Sequence, residues 1–149
     1  MSKKILMVCL GNICRSPLAE GILKSKVDDD IIVDSAGIDD YHSGELPDNR
    51  SMAIAKKNNI DISSQRARKI VAADFDKYDH IYAMDETNYN NLKTMAKTQE
   101  QRNKIFMIMN ELHPGENIDV PDPYWGGEHG FSHVYAMLDE ATDKILEKL

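Results

Sequence analysis

The sequence predicts an α/β fold, a parallel sheet covered by helices on both faces, and three observations carry that expectation. Four continuous apolar runs have strand length, the stretches between them place apolar residues at helical spacing, and the two kinds alternate along the chain. At 149 residues the chain fits a single domain, residues 1–149, with a sizeable core.

The first run is Lys4 to Cys9 (KILMVC), the second Asp30 to Ala36 (DIIVDSA), the third His80 to Met84 (HIYAM) and the fourth Lys104 to Met109 (KIFMIM). Runs without polar alternation suit strands buried on both faces. Between them, Pro17 to Val27 sets Leu18, Ile22 and Leu23 on one stripe, Asn49 to Asn58 carries Met52, Ile54 and Ala55, and Glu86 to Lys97 carries Tyr89, Leu92 and Met95. The tail, Gly130 to Leu149, repeats Val134, Met137, Leu138, Ala141, Ile145 and Leu146 at the same spacing. Loops are expected at Ile38 to Pro47 and at His113 to Gly130, which holds three of the five prolines and four of the eight glycines. A loop of that length is more often functional than accidental.

Composition narrows the setting. Apolar residues at 42% and charged residues at 29% match the globular norm. A net charge of -7 with no long basic run argues against nucleic acid or an anionic membrane as main partner, so any anion site must be local. No stretch has the length of a membrane span, and the apolar start is broken at once by Gly11, Asn12 and Arg15, so no membrane insertion and a cytoplasmic location are expected. The pair Cys9 and Cys14 lacks the second cysteine pair of a zinc site, and His129 with His133 has no third ligand nearby; no metal and no cofactor are expected.

The stretch VCLGNICRSPLAE, residues 8 to 20, concentrates the chemistry. Cys9 ends the first strand, while Ser16 as N-cap and Pro17 as first helical residue would open the first helix. Leu10, Gly11, Asn12, Ile13 and Cys14 then wrap the positive end of that helix, a cradle of backbone N–H groups for an anion. Gly11 and Asn12 are the residues expected where dihedrals become unusual, and Arg15 adds a planar fork suited to a tetrahedral oxyanion. A thiol in that field favours its thiolate, which makes Cys9 a nucleophile for a bound phosphoryl group, with Ser16 donating to the sulfur. The acid for the leaving oxygen should come from another loop at the same end of the sheet, and Asp122 in VPDPYWGG, between two prolines, fits. Asp85 in MDETN reads either as a helix cap or as a residue at the edge of the site.

C-x5-R-S at Cys9 to Ser16, with DPYW at Asp122 to Trp125 and VDSAG at Val33 to Gly37, resembles the low-molecular-weight protein tyrosine phosphatases over essentially the whole chain. The resemblance implies sheet order 2-1-3-4, Cys9 as nucleophile, Arg15 as phosphate clamp, Ser16 as thiolate donor and Asp122 as general acid and base. It also implies that Asn12 holds the loop through Ser16 and Ser35, that Tyr41, Tyr124 and Trp125 wall the substrate slot, and that Cys14 is a redox partner of Cys9. Expected partners are phosphotyrosine-containing proteins, a bacterial tyrosine kinase among the candidates, with the chain a monomer or weak dimer. Gln65 stands where members often have a histidine, and Trp125 is bulkier than the residue of some relatives.

Three other functions compete. Thiol-dependent arsenate reduction needs further cysteines, and none follows Cys14. Phosphoarginine hydrolysis is opposed by Ile13, where similar proteins place threonine, and by the aromatic pair Tyr124 and Trp125. A catalytically silent phosphoprotein-binding module would be supported by loss of Cys9, Arg15 or Asp122, and all are present.

Overall fold

The computed structural model describes residues 3–125 and 128–149, with the side chains of Trp125 and Glu128 outside that description. Strands β1 (Lys3–Cys9), β2 (Ile31–Gly37), β3 (His80–Ala83) and β4 (Ile105–Met107) form one parallel sheet in the order β2-β1-β3-β4. The helices are α1 (Arg15–Lys24), α2 (Asn49–Lys57), α3 (Asp74–Lys77), α4 (Glu86–Met95), α5 (Gln99–Arg102) and α6 (Glu128–Lys148).

Strand β1 shows why the runs are continuous. Successive side chains point to opposite faces, and both faces are covered. Ile5, Met7 and Cys9 join Leu18 and Ile22 of α1 and Val134, Leu138 and Ile145 of α6. Leu6 and Val8 join Phe75, Tyr78, Leu92 and Ala96 on the other face. Each large side chain so buried contributes about 1.5–3 kcal/mol.

Three departures from the sequence reading have physical causes. The run KIFMIM is strand only over Ile105–Met107, and the chain then turns into a 3-10 helix, Ile108–Glu111. Ile108 and Met109 are still buried, so the run reported burial rather than strand. Helix α1 starts at Arg15 with Cys14 in the cap position, not at Pro17 with Ser16 as cap, because the Ser16 hydroxyl is engaged elsewhere. Helices α3 and α5 span four residues each, too few for a periodic signal.

The strands bring their carboxyl ends to one edge, and the connections after β1, β2 and β3 meet there. Ile38 N–H donates to the Cys9 carbonyl and Asp39 N–H to that of Leu10, extending the β1–β2 pairing into the following loops. Gly37 must be glycine for this: a Cβ there would stand 2.9 Å from the Leu10 carbonyl oxygen.

Candidate active site

Cys9, the last residue of β1, opens a cleft of about 220 Å³ that is also lined by Ile13, Cys14, Arg15, Tyr41, Asp122 and Tyr124. The Asn12 N–H donates to Cys9 Sγ at 3.3 Å, and Ser16 Oγ lies 3.0 Å from the same sulfur. Asn12 Nδ2 donates to Ser16 Oγ at 2.8 Å, which directs the single hydroxyl hydrogen of Ser16 toward the sulfur. Among the described residues no side chain caps α1, so the N–H groups at its start, Pro17 having none, remain available to an anion.

Asn12 is the hub of the loop. Its φ of 58° is the left-handed conformation that asparagine tolerates. Its Nδ2 also donates to Ser35 Oγ at 2.9 Å, and its Oδ1 accepts the Arg68 N–H at 3.0 Å. Ser35 in turn donates to Glu20 Oε1 at 2.7 Å, and Lys24 neutralises the other Glu20 oxygen at 2.6 Å. Two donor branches thus leave Asn12, one through Ser16 to the sulfur and one through Ser35 of β2 to Glu20. Gly11, expected to take unusual dihedrals, has no positive φ; a Cβ there would lie 3.0 Å from His42 Cδ2, so space is what the position requires.

Arg15 is held from three sides. Its Nη1 donates to Asp85 Oδ2 at 2.7 Å and to the Val120 carbonyl at 2.9 Å, and Nη2 lies 3.8 Å from Asp122 Oδ2. Burial pulls the guanidinium pKa down, but the charges of Cys9, Asp85 and Asp122 outweigh it and hold the pKa above its ordinary value. Asp85 performs both of its expected roles at once: Oδ1 caps α4 at the Asn88 N–H, 2.7 Å, while Oδ2 grips Arg15. Val120 N–H donates to the Met84 carbonyl at 2.8 Å, so the segment leading to Asp122 is zipped to the end of β3.

The walls differ from the floor. Tyr41 is 84% exposed and Tyr124 36%, and Asp122 is exposed as well. His42, which the sequence reading passed over, lines the cleft, with its ring 6.4 Å from that of Tyr124 and Nδ1 3.0 Å from Glu45 Oε2. The side chain of Trp125, the third expected wall, lies outside the described residues. Cys14 is buried, and its thiol is pushed up to about 12, first by burial and then by the charges of Asp48 and Cys9. Gln65 donates from Nε2 to the Pro17 carbonyl at 3.1 Å and so supports α1 rather than the loop directly. His129 and His133 are both exposed on α6.

The model of the low molecular weight phosphotyrosine protein phosphatases matches residues 4–149. The chain belongs to this family. A Synechocystis relative named for the low molecular weight protein-tyrosine-phosphatases is 40% identical over 151 residues, 98% of this chain and 96% of its own. Among solved structures, a protein tyrosine phosphatase from Entamoeba histolytica with Hepes in its active site superposes with a TM-score of 0.92 at 37% identity, covering 99% of this chain and 96% of that one. The Drosophila arginine phosphatase DARP superposes with a TM-score of 0.90 at 34% identity, over 97% and 96% of the two chains. The family's cysteine-dependent phosphatase fold is therefore the frame in which Cys9 sits.

Glu20, Arg68 and Val120 were not anticipated. Arg68 and Val120 reach Asn12 and Arg15 across 56 and 105 positions, so no local motif contains them, whereas Glu20 ends the stretch that begins at Val8 and reaches Ser35 across 15 positions. Glu20 alone left a trace, as a charged residue on the buried stretch of α1.

Proposed function

We propose that this phosphatase hydrolyses phosphotyrosine in proteins through a phosphocysteine on Cys9. The observation that carries the reading is the convergence on one cleft of a sulfur receiving two hydrogen bonds, a fixed guanidinium, and a carboxyl on the opposing loop. Cys9 Sγ attacks phosphorus while Arg15 and the loop amides of Leu10 to Cys14 take the oxyanion charge. The P–O bond breaks as Asp122 gives its proton to the departing phenol oxygen. Asp122 then takes a proton from water as the water oxygen attacks phosphorus; the S–P bond breaks, inorganic phosphate leaves, and the sulfur again accepts the Ser16 hydroxyl hydrogen bond. Each proton is accounted for within this cycle.

The exposed rings of Tyr41 and Tyr124 stand above a buried floor, a depth suited to a phosphate on a long aryl side chain. The likeness to DARP keeps phosphoarginine as the competing substrate, and Ile13, which offers the cleft no hydroxyl, argues against it. Phosphate release from peptides bearing phosphotyrosine, phosphoserine or phosphoarginine tests the choice, with Cys9→Ser as control. Selective release from phosphotyrosine is expected; preference for phosphoarginine would replace the reading.

Cys14 is assigned as redox partner. When peroxide converts Cys9 to a sulfenic acid, the negative charge that helps hold the Cys14 thiol protonated disappears. Cys14 can then displace hydroxide, giving a disulfide and water. Peroxide inactivation should be reversible by dithiol in the parent and largely irreversible in Cys14→Ser; full recovery of the variant removes the role. We place the activity on one catalytic unit, residues 1–149, working in the cytoplasm as monomer or weak dimer, with a tyrosine kinase as the source of its phosphoprotein substrates. Among the described residues no helix is long and apolar enough to cross a membrane.

A further inference from the structure

The amino end of α2 touches both halves of the site. Asp48 N–H donates to the Ile13 carbonyl at 2.8 Å and Ser51 Oγ to the Cys14 carbonyl at 3.3 Å, so the start of the helix is stapled to the phosphate loop. Arg50, between them, reaches the other way. Its Nη2 donates to the Tyr124 carbonyl at 3.1 Å, and its guanidinium carbon lies 5.6 Å from the Tyr124 ring centroid and 4.6 Å from that of Phe131. Asp48 fixes the fork in that pose, accepting from Nε at 3.1 Å and from Nη2 at 3.2 Å. In the same turn, the Tyr124 N–H donates to Asp122 Oδ1 at 3.0 Å, which leaves Oδ2 as the oxygen directed toward Arg15.

We propose that Arg50 is a positioning residue for the general acid. By holding the Tyr124 carbonyl it fixes the turn Pro123–Trp125, whose Tyr124 N–H selects which Asp122 oxygen faces the cleft. The inference rests on the reading of Asp122 as the acid. Arg50 exchanges no proton: the proton passes from Asp122 to the leaving oxygen as the S–P bond forms and the P–O bond breaks. The Asp122 side chain is 37% exposed, so burial does not orient it and hydrogen bonds must. A flat guanidinium can accept the grip of Asp48, lie against two rings and still donate to a carbonyl, which an ammonium cannot do in one pose.

The test measures kcat/KM over aryl phosphates from dinitrophenyl to phenyl, for the parent, Arg50→Met, Arg50→Lys and Asp122→Ala. Inhibition by inorganic phosphate and the thermal midpoint are measured alongside. A displaced acid hurts poor leaving groups and spares good ones, because only the former need the proton. Arg50→Met should lose roughly tenfold on phenyl phosphate and less than about twofold on dinitrophenyl phosphate, with Arg50→Lys between it and the parent. Phosphate inhibition should stay within about twofold, since Asp48 and Ser51 still hold the loop. An even loss across the series, or phosphate affinity falling in step with rate, overturns the proposal, as Arg50 would then merely brace α2. A steep series in Asp122→Ala beside a parental one in Arg50→Met discards this proposal alone. A parental series in Asp122→Ala discards the acid assignment and this inference with it. Should Arg50→Met fail to fold, Arg50→Lys gives the same comparison.

Discussion

From Cys9 to Ser16 the chain is buried except at Leu10 and Gly11, whereas from Asp40 to Leu46 every residue but His42 is exposed, as are Pro121, Asp122 and Tyr124. The first region is wired by hydrogen bonds to β2, α1 and the segment before β3; the second is held by its own turns, such as Tyr41 N–H on Asp39 and Tyr124 N–H on Asp122, and by ties to Ala67 and Arg50. The difference separates two tasks. Tetrahedral oxyanion recognition needs donors fixed before the ligand arrives, since reorganising them would oppose transition-state stabilisation. Holding a side chain of one length and shape needs surface at the right height, which exposed rings provide.

Asp122 belongs to the rim by location and to the floor by chemistry. Asp122→Asn should lower kcat/KM on phosphotyrosine by about 10²- to 10³-fold while affinity for an oxyanion such as vanadate stays nearly intact. Equal loss of binding and rate in steady-state kinetics would remove Asp122 from the acid role.

The floor itself should fail as a unit. Asn12→Ala leaves Ser16, Ser35 and the Arg68 N–H short of a partner and places alanine at a positive φ, so roughly 3 kcal/mol of stability should be lost, with turnover falling as well. Chemical denaturation measures it, and a loss below about 0.5 kcal/mol would show the loop to be independent of this residue.

The rim should behave in the opposite sense. Tyr41→Ala should raise KM for aryl phosphates by roughly threefold and leave the unfolding free energy within about 0.5 kcal/mol of the parent, because the ring touches little but solvent. A large drop in stability would mean that the rim is structural.

The remaining effect concerns pH. The Cys14 thiol is raised from 9.0 to about 12, so both folded and unfolded chains keep the proton below pH 9. Above it, the unfolded chain releases the proton that the folded chain retains, and stability falls as pH rises toward about 12. Between pH 8 and pH 10 the parent should lose roughly 1 kcal/mol more than Cys14→Ser. Equal pH slopes in denaturation would contradict this.

The same division explains what the sequence revealed. The floor was legible because its reacting atoms lie within one eight-residue motif, and its strands because burial on both faces leaves no polar alternation. Ser16 was misread as a cap because a serine before a helix serves caps and sulfur alike, and only the placement of Asn12 and Cys9 decides between them. Arg68 was illegible as a loop support because a crossover, not local spacing, brings it to Asn12, whereas Asp85 was legible at the edge of the site but not as the partner of Arg15. The rim was legible as residue types, through Tyr41 and Tyr124, but its bracing by Arg50 crosses 74 positions and has no local signature.

The central claim is that Cys9 becomes phosphorylated during turnover. Rapid mixing with a phosphotyrosine peptide, a denaturing quench within the first turnover and mass mapping of the peptides should place one phosphoryl group on Cys9, and none in Cys9→Ser. A phosphoryl group on another residue, or turnover that persists in Cys9→Ser with no phosphoenzyme at all, would contradict the account.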